Sequence, residues 1–494
     1  MLTSGARIES VCAAAGTGKS FTVGAIADTW QGTGYRVFGL ATSQAATDVL
    51  AEANVTARNI PSWLAAQERL DEADPGGPDP GGDGQWRLQP GDLVVVDEAG
   101  MADTPHLATI QSRCEQAGAK LLLTGDPRQL AAVGAGGAFA DLAAHGVRYE
   151  LAEVRRFTTA WERSASLALR DGDPAALDAY QRHGRLLDGG TVEQAEASAA
   201  RAWLADTLAG RESLLLVSSN AAAARVSSAL RADLIALGRV TETGVELGKD
   251  GTVAGVGDLV QARRNGWDLI GYDGNAAAPI NRATYRVTGL RADGGLTVAP
   301  LLTRDNGREP LGAPMQLPAS YVAADVTLGY ASTVHAAQGR TVDTAHAVIA
   351  HGQDAGTAYV ALTRGRDRNT AHVVTRAVPD DAEPGQTHEV AERSPRAVLA
   401  EVIERDPGET EQSALVVRER AEQQARSTMT HVDKLTYHVD RITAGRTGGQ
   451  LDRLAADGVL SDLDRRRLAA ARRRRRRRDR GRAGDAARRA ARRR

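Results

Sequence analysis

The chain has 494 residues, of which 42% are hydrophobic and 25% charged, and its formal net charge is −1. This length exceeds what one hydrophobic core usually serves, so we expect two or three domains. Two cysteines exclude a disulfide framework, and no apolar run approaches the roughly 20 residues that span a bilayer, which together predict a cytoplasmic protein without membrane insertion.

The small net charge conceals a strong asymmetry. Residues 465–494 hold 17 arginines and two aspartates, a net charge of +15, so the rest of the chain carries −16. The field of the main body does not attract polyanions, so nucleic acid would have to bind in a local groove. We interpret the Arg-rich segment as a disordered tail. It either holds nucleic acid electrostatically or reflects the Arg/Ala bias of a GC-rich gene.

Short apolar runs alternate with amphipathic stretches along the chain. The first set is ARIESVCAA, RVFGLAT, DLVVVDEA and KLLLTGD, and a later set is ESLLLVSSN, HAVIAHG and TAHVVTR. Continuous apolar runs of this length between helical patterns are typical of buried parallel strands. We therefore predict an α/β protein with two parallel-sheet domains.

The pattern changes between the runs of the second set. Short strand-like segments with turn signals predict a small β domain inserted in the second parallel-sheet domain. Residues 73–85 are a Pro/Gly-rich loop, followed by Trp86. The predicted division is 1–165 for the first domain, 166–204 for a helical linker, 205–245 with 319–380 for the second domain, 246–318 for the insert, 381–464 for a helical extension and 465–494 for the tail.

The stretch AAAGTGKS lies between the first predicted strand and the first predicted helix. Glycines in such a loop allow backbone N–H groups to surround phosphates, Lys19 reaches the β and γ phosphates, and the Ser20 hydroxyl ligates Mg²⁺. The strict pattern begins with glycine where this chain has Ala13. The strand–loop–helix context and the GTGKS core outweigh that departure. We predict an ATP site that includes Gly16, Thr17, Gly18, Lys19 and Ser20.

Two further segments supply groups for phosphate chemistry. LVVVDEAGM ends a strand with Asp97, predicted to hold Mg²⁺ through its hydration shell, and Glu98, predicted to polarise the attacking water. Acids often end strands, but this pair follows a phosphate-binding loop by about 80 residues. LLLTGDPRQL places Gln129 after the next strand, where an amide can contact the γ-phosphate and a neighbouring domain. A polar turn that caps the next helix is the alternative.

Seven motifs together resemble those of superfamily 1 DNA helicases of the RecD-like branch. They are AAAGTGKS, LATSQAA, VVVDEAGM, LTGDPRQL, LAEVRRF, GYASTVHAAQGRTVD and YVALTRGRDR, in that order. The resemblance covers about residues 3–378 and is greatest to the helicase portion of MobF-type (TraI/TrwC-like) conjugative relaxases. It implies two RecA-like P-loop NTPase domains with ATP and Mg²⁺ between them. It also implies single-stranded DNA across both domains, 5′ to 3′ travel, and conjugation (relaxosome or coupling) proteins as further partners.

The resemblance also implies roles for individual residues. Arg156 and Arg364 would reach the γ-phosphate from the first and second domains and neutralise developing charge. Gln338 and Gly339 would link nucleotide state to the grip on DNA. Surface salt bridges for the arginines, and a buried structural role for one histidine, His335, are the alternatives. The residues implied to contact single-stranded DNA are Thr42, Ser43, Gln44, Thr333 and His335.

The resemblance implies that the insert is a small SH3-like β-barrel, because it sits where RecD-like helicases carry such a domain. Its basic and aromatic residues suit a surface that guides a strand, although a folded barrel with ordinary exposed arginines would look similar. The Pro/Gly loop before Trp86 lies where relatives carry a strand-separating pin. The insert residues in question are Arg263, Arg264, Trp267, Asn281 and Arg282.

Two departures from the relaxase pattern leave alternatives open. The sequence has no clustered-histidine pattern of a nicking domain, and the resemblance begins without the helix whose glutamine reads adenine. We therefore expect either a piece of a longer protein or a late start codon. The alternative functions are a weakly active or inactive helicase-like module that binds single-stranded DNA for recruitment, and a RecD-like repair helicase.

Overall fold

The computed structural model describes residues 2–72, 80–132, 134–302, 310–377 and 391–405, and then 450, 452–454, 456–458 and 461. Residues Met1–Val416 form one compact unit and Val417–Arg494 another. The predicted tail, most of the predicted extension and residues 73–79 of the Pro/Gly loop lie outside the described residues. No helix in the described ranges is long and apolar enough to cross a membrane.

The described residues between 8 and 151 fold into a six-stranded sheet with five α-helices. In chain order the elements are β1 (Ile8–Ala13), α1 (Lys19–Gln31), β2 (Val37–Ala41), α2 (Gln44–Glu52), β3 (Thr56–Asn59), α3 (Ile60–Glu72), β4 (Leu93–Asp97), α4 (Thr104–Ala117), β5 (Lys120–Gly125), α5 (Ala138–His145) and β6 (Arg148–Leu151). The strand order is β3-β2-β4-β5-β1-β6, and every neighbouring pair is parallel.

Both faces of this sheet are covered, which is why its inner strands β2, β4 and β5 are largely apolar and are buried along their whole length. Val11 packs in a cluster with residues of α1 and α2, whereas its neighbour Cys12 packs in a second cluster with α3, α4 and α5. The functional loops follow the carboxyl ends of β1, β2, β4 and β5. They therefore meet at one edge of the sheet.

The remaining elements build a second parallel sheet and an insert. They are α6 (Ala160–Arg170), α7 (Ala175–Arg182), β7 (Leu186–Gly190), α8 (Val192–Leu208), β8 (Ser213–Val217), α9 (Asn220–Ala236), β9 (Gly244–Leu247), β10 (Thr252–Gly255), β11 (Leu259–Ala262), β12 (Thr284–Leu290), β13 (Leu296–Pro300), β14 (Met315–Leu317), α10 (Ala319–Asp325), β15 (Val326–Leu328), β16 (Ala331–Thr333), α11 (Val334–Ala337), β17 (Val342–Ile349), α12 (Ala355–Ala361), β18 (Gly365–Val374), β19 (Arg376–Ala377), β20 (Ala391–Glu392) and α13 (Pro395–Glu404).

The second sheet has five parallel strands in the order β16-β8-β17-β18-β7. Its edge strand β7 lies inside 166–204, so the prediction of a helical linker is wrong at this point. The sequence LLDGG lacks a continuous apolar run because an edge strand is covered on fewer sides, and the middle of β7 is exposed.

The inserted sheet is antiparallel, with the order β14-β13-β12-β11-β15. Its last strand, β15, lies beyond the predicted end of the insert at residue 318. One apolar cluster runs from α8 and α9 into the inner face of this sheet. Arg231 of α9 also donates to the buried carboxylate of Asp258 at 2.7 Å. The insert is therefore packed firmly on the second parallel sheet.

Candidate nucleotide site

Two glycines set the shape of the loop between β1 and α1. Gly16 and Gly18 have φ values of +80° and +85°, the left-handed region that favours glycine. A Cβ atom on Gly16 would lie 2.3 Å from Cβ of Arg156, so a larger residue does not fit. Thr17 is buried, and its hydroxyl donates to the Ala14 carbonyl at 2.8 Å. The Thr17 side chain therefore stabilises the turn of the loop through this hydrogen bond.

Lys19 begins α1 and is paired with both predicted acids. Its Nζ atom lies 2.9 Å from Oδ1 of Asp97 and 2.6 Å from Oε1 of Glu98. Burial lowers the pKa of Lys19, but Glu98 and Asp97 outweigh burial and raise that pKa above its ordinary value. Asp97 also accepts from the Thr124 hydroxyl at 2.6 Å. Lys19, Asp97 and Glu98 thus form one network of ion pairs next to the loop.

Glu98 has a strained backbone. Its φ of +50° lies in the left-handed region, which is uncommon for a residue with a side chain and costs about 1–3 kcal/mol. Nε2 of Gln338, the residue directly after α11, lies 3.4 Å from Oε2 of Glu98 and 3.4 Å from Oε1 of Gln129. Oε1 of Gln338 is buried and has no hydrogen-bond partner among the described residues. Three polar groups from three loops therefore converge on one point.

Two arginines from different domains lie next to this point. Arg156 donates to the Thr363 carbonyl at 2.6 Å, and Arg364 donates to the Val360 carbonyl at 2.9 Å. Burial lowers the pKa of both arginines, and the charge of Arg364 lowers that of Arg156 further. Neither forms a salt bridge with an acid in the described part of the chain. Such an under-neutralised pair favours an incoming anion.

These groups surround one cavity of about 580 Å³. Thr17, Asp97 and Gln338 do not line it: Asp97 lies behind Lys19, and Gln338 contacts Glu98. Each of the three is nevertheless next to a lining residue. The predicted residues that do line the cavity are Gly16, Gly18, Lys19, Ser20, Glu98, Gln129, Arg156, Gly339 and Arg364.

Sequence reasoning missed a contact that joins the two domains at the loop. The backbone N–H of Ala15 donates to Oη of Tyr359 in α12 at 2.8 Å, and that of Thr158 donates to the Arg366 carbonyl at 3.0 Å. Burial raises the pKa of Tyr359, so its hydroxyl stays protonated. Tyr359 stands within the motif YVALTRGRDR, and that position was the available signal.

The predicted DNA-contacting residues of the first domain lie at the start of α2. Ser43 is the N-cap of this helix, and its hydroxyl accepts from the Ala46 N–H at 3.2 Å. Gln44 donates to Asp48 at 2.8 Å, and Thr42 is half-buried. Ser43 and Gln44 therefore have structural partners of their own, and a DNA role for all three residues stays a prediction.

Thr333 and His335 lie at the end of β16 and the start of α11. Burial, and next the charge of Arg282, lowers the pKa of the half-buried His335. None of the five predicted DNA-contacting residues lines the cavity at Lys19. Their neighbours Ala45 and Ser332 line another cavity, of about 680 Å³, together with residues of the insert. The two predicted DNA segments therefore flank a single cleft.

The insert residues that were predicted to guide a strand differ in their contacts and backbone strain. Arg264 forms salt bridges with Asp268 and Asp325, as the alternative reading expected, and Trp267 is 48% exposed. Arg282 has a left-handed φ of +68°, and its Nη1 donates to the His335 carbonyl at 3.0 Å.

The remaining residues of the predicted guiding surface and the pin position also have local partners. Arg263 donates to Asn220 at 3.0 Å, and the backbone N–H of Asn281 donates to Asn265 at 2.8 Å. Trp86 is buried against Phe38, with ring centroids 5.5 Å apart. It therefore belongs to the core of the first domain.

The fold and the loop together define the class of this domain: an α/β, RecA-like P-loop domain with a parallel sheet. Residues 1–191 match the family model described as an AAA domain.

The chain is similar to conjugal transfer proteins. It is 28% identical over 340 residues to the probable conjugal transfer protein TraA of Sinorhizobium fredii (strain NBRC 101917 / NGR234), a match that covers 68% of this chain and 28% of that protein. It is 28% identical over 341 residues to the conjugal transfer protein TraA of Agrobacterium fabrum (strain C58 / ATCC 33970), with the same two shares. The matched region thus spans little more than a quarter of these relatives. The resemblance predicted from the motifs is confirmed.

Among solved structures, the Pif1 helicase from Bacteroides in complex with ADP-AlF3 and ssDNA is similar, with 16% sequence identity and a TM-score of 0.49. The match covers 86% of this chain and 95% of that one.

Proposed function

We propose that this chain is an ATP-dependent translocase on single-stranded DNA and a DNA helicase that moves 5′ to 3′, the helicase part of a conjugative relaxase. The observation that carries the proposal is the cavity that Lys19 and Glu98 of the first domain line together with Arg364 of the second, while Gln338 of the second domain contacts Glu98 beside it. A ligand there would hold the two domains together. The similarity to conjugal transfer proteins, over about a quarter of their length, supports the role in plasmid transfer.

The loop and the start of α1 would bind the phosphates of ATP. Backbone N–H groups at a helix N-terminus favour anions, and Lys19 adds a positive charge at the same point. In exchanging its pairing with Asp97 and Glu98 for a γ-phosphate, Lys19 would release both carboxylates for chemistry. Oxygen donors at Ser20 and Asp97 fit Mg²⁺, which would hold the phosphates and neutralise their charge.

Hydrolysis needs a base, an oriented water and charge neutralisation. Glu98 would accept the proton of the attacking water. Gln338, which contacts that carboxylate, and Gln129, which accepts from the Gln338 amide, would orient this water. Arg156 and Arg364 would stabilise the charge on the transferring phosphoryl group. Loss of that group leaves two like charges in close proximity, which favours opening of the cleft. Alternation between closed and open states would move the strand.

The proposed motor domains are residues 1–165 and, in the second, 205–245 with 319–380, except that β7 adds an edge strand to the second sheet and β15 belongs to the sheet of the insert. The proposed insert, 246–318, is an SH3-like strand-guiding domain, with the cleft beside α2 and α11 as the path of the DNA. We also propose a cytoplasmic location and contacts with relaxosome or coupling proteins. A RecD-like repair helicase would use the same site.

A second candidate, a recruitment module with little unwinding, has one observation in its favour. Residues 80–86 carry no exposed aromatic side chain, because Trp86 is buried. This segment therefore offers no apolar wedge with which to separate a duplex.

The decisive measurement is the ATP hydrolysis rate with and without single-stranded DNA. We expect strong stimulation by DNA in the unaltered chain. Lys19→Ala should lose at least about 10²-fold in rate, since the γ-phosphate loses its cation, and should keep its circular dichroism spectrum. Lys249→Ala, an exposed lysine outside the cavity, is the matched control. An unchanged rate in Lys19→Ala would sink the assignment, and a flat, near-zero rate in the unaltered chain would favour the recruitment module.

A further inference from the structure

Phe21 is an exposed aromatic residue at the nucleotide cavity. It is 84% exposed, directly follows Ser20 on α1 and lines the same cavity as Lys19. The other three phenylalanines, Phe38, Phe139 and Phe157, are at most 3% exposed. Single exposed apolar residues are common. Phe21 differs from such residues because it lines a charged cavity, where its ring can contact a bound ligand.

A second apolar side chain lies on the neighbouring helix. Val49 of α2 is 40% exposed and lines the same cavity. The two helices touch one turn further along, where a Cβ on Gly24 would lie 3.5 Å from Cβ of Ala53. Gly24 follows Phe21 by three residues, and Ala53 follows Val49 by four, so each pair shares a helix face. Phe21 and Val49 therefore lie on adjoining faces at the mouth of the cavity.

The polar side chains of the cavity are largely committed elsewhere. Among the lining residues in the described ranges, the only side-chain amide is that of Gln129, which faces Gln338. Asp126 accepts from Arg170, and Arg155 donates to Glu153. Few groups remain to read the hydrogen-bonding edge of a base, whereas an apolar surface is available for its face.

We propose that Phe21 and Val49 form a platform on which the base of the bound nucleotide stacks, and that the site consequently accepts all four common nucleoside triphosphates. This rests on the proposed function as a nucleotide-binding motor. Stacking on an aromatic ring tolerates every base because each has a π-face. Lys19 would hold the phosphates of the nucleotide. The base is the only aromatic part of the nucleotide, so it is the part that can stack on Phe21.

The test compares a ligand that has a base with one that lacks it. ADP and inorganic tripolyphosphate, each with Mg²⁺, are titrated calorimetrically into the unaltered chain, Phe21→Ala, Phe21→Tyr and the surface control Leu237→Ala. We expect Phe21→Ala to bind ADP about tenfold more weakly, the loss of one stacking contact, and to bind tripolyphosphate as before. Phe21→Tyr and Leu237→Ala should bind both ligands normally.

Two further measurements separate the alternatives. Val49→Ala, which leaves the loop untouched, should weaken ADP about threefold without affecting tripolyphosphate, and kcat/KM for ATP, GTP, CTP and UTP should agree within about threefold in the unaltered chain. Equal ADP affinity in Phe21→Ala and the unaltered chain would overturn the platform. If Phe21→Ala binds neither ligand, the Val49→Ala result settles the question. Weaker ADP binding with unchanged tripolyphosphate binding in Val49→Ala supports the platform, and unchanged ADP binding overturns it. An unaltered chain that binds neither ligand would refute the nucleotide site itself.

Discussion

Gly16 meets two demands at one position, a left-handed φ and close contact with Arg156. Gly16→Ala should therefore be strained by about 1–2 kcal/mol and also displace the arginine. Gly34→Ala is a matched control, because Gly34 has a φ of +90° but open space around its Cα. We expect both variants to lose stability in urea unfolding, but only Gly16→Ala to lose ADP binding. Normal ADP affinity in Gly16→Ala would show that the close approach to Arg156 is dispensable.

Residue types in a motif predicted which side chains meet better than how they are arranged. Lys19, Asp97 and Glu98 were expected to lie together because their order along the chain implies a loop and two strand ends, and the structure pairs them. The left-handed backbone of Glu98 and the approach of Gln338 depend on how two domains pack, which local sequence does not encode. Trp86 shows the same limit. An aromatic after a glycine-rich loop suits a surface wedge, but tertiary packing places it in the core.

At the scale of elements, the short helix α11 connects the insert to the nucleotide site. Arg282 holds the His335 carbonyl of α11, and Gln338, directly after this helix, contacts Glu98. The strained φ of Arg282 indicates that the surroundings enforce this contact. A strand that displaces Arg282 would therefore shift Gln338 and alter hydrolysis.

This connection predicts that Arg282→Ala lowers the stimulation of ATP hydrolysis by single-stranded DNA at least fivefold, about 1 kcal/mol of coupling, with little change in the DNA-free rate. Arg282→Gly should behave alike, although it relieves the strain, because it also lacks the guanidinium. Arg291→Ala removes an insert arginine that pairs with Asp273 instead and should be silent. Undiminished stimulation in both Arg282 variants would separate the insert from the nucleotide site.

A buried polar chain joins α8 to the second sheet. Ser198 contacts His372 at 3.0 Å, His372 contacts His346 at 3.4 Å, and His346 contacts Asp206 at 3.1 Å. Burial, then the charges of His346 and Arg201, lowers the pKa of His372 to about 3. Burial also lowers the pKa of His346, although Asp206 opposes it. At pH 7 both imidazoles are therefore neutral in the folded state.

The resulting pH dependence follows from linkage. Between pH 6.5 and about 3 the unfolded chain binds a proton at His372 that the folded chain does not, so stability falls as pH drops through this range. The slope is at most about 1.4 kcal/mol per pH unit for one group. His372→Asn should show a shallower fall in urea midpoint between pH 7 and 5. His145→Asn is the control, because it removes a histidine that is exposed in the folded state. Parallel pH curves for His372→Asn and the unaltered chain would contradict this account.

At the scale of the molecule, the two parallel sheets were predictable because their central strands are continuous apolar runs. The edge strand β7 was not predictable, because its exposed residues lack the continuous apolar run of a buried strand. Strand β15 was missed because an apolar pattern over three residues is too short to recognise. The shared core of insert and second sheet was equally hidden, since it forms only when distant segments meet. Sequence thus predicts layers better than the way in which they join.

The charge distribution of the whole chain sets the last prediction. Residues 465–494 carry +15 and the remainder −16. If the arginines neutralise phosphates, the slope of log affinity for single-stranded DNA against log salt steepens by about 0.7 for each phosphate bound. Replacing the 17 arginines by glutamines should then flatten this slope by several units, whereas Arg340→Ala in the cleft beside α2 should flatten it by less than one. An unaltered slope in the glutamine variant would mean that the local groove alone holds DNA, and that the arginine run reflects the composition of its gene.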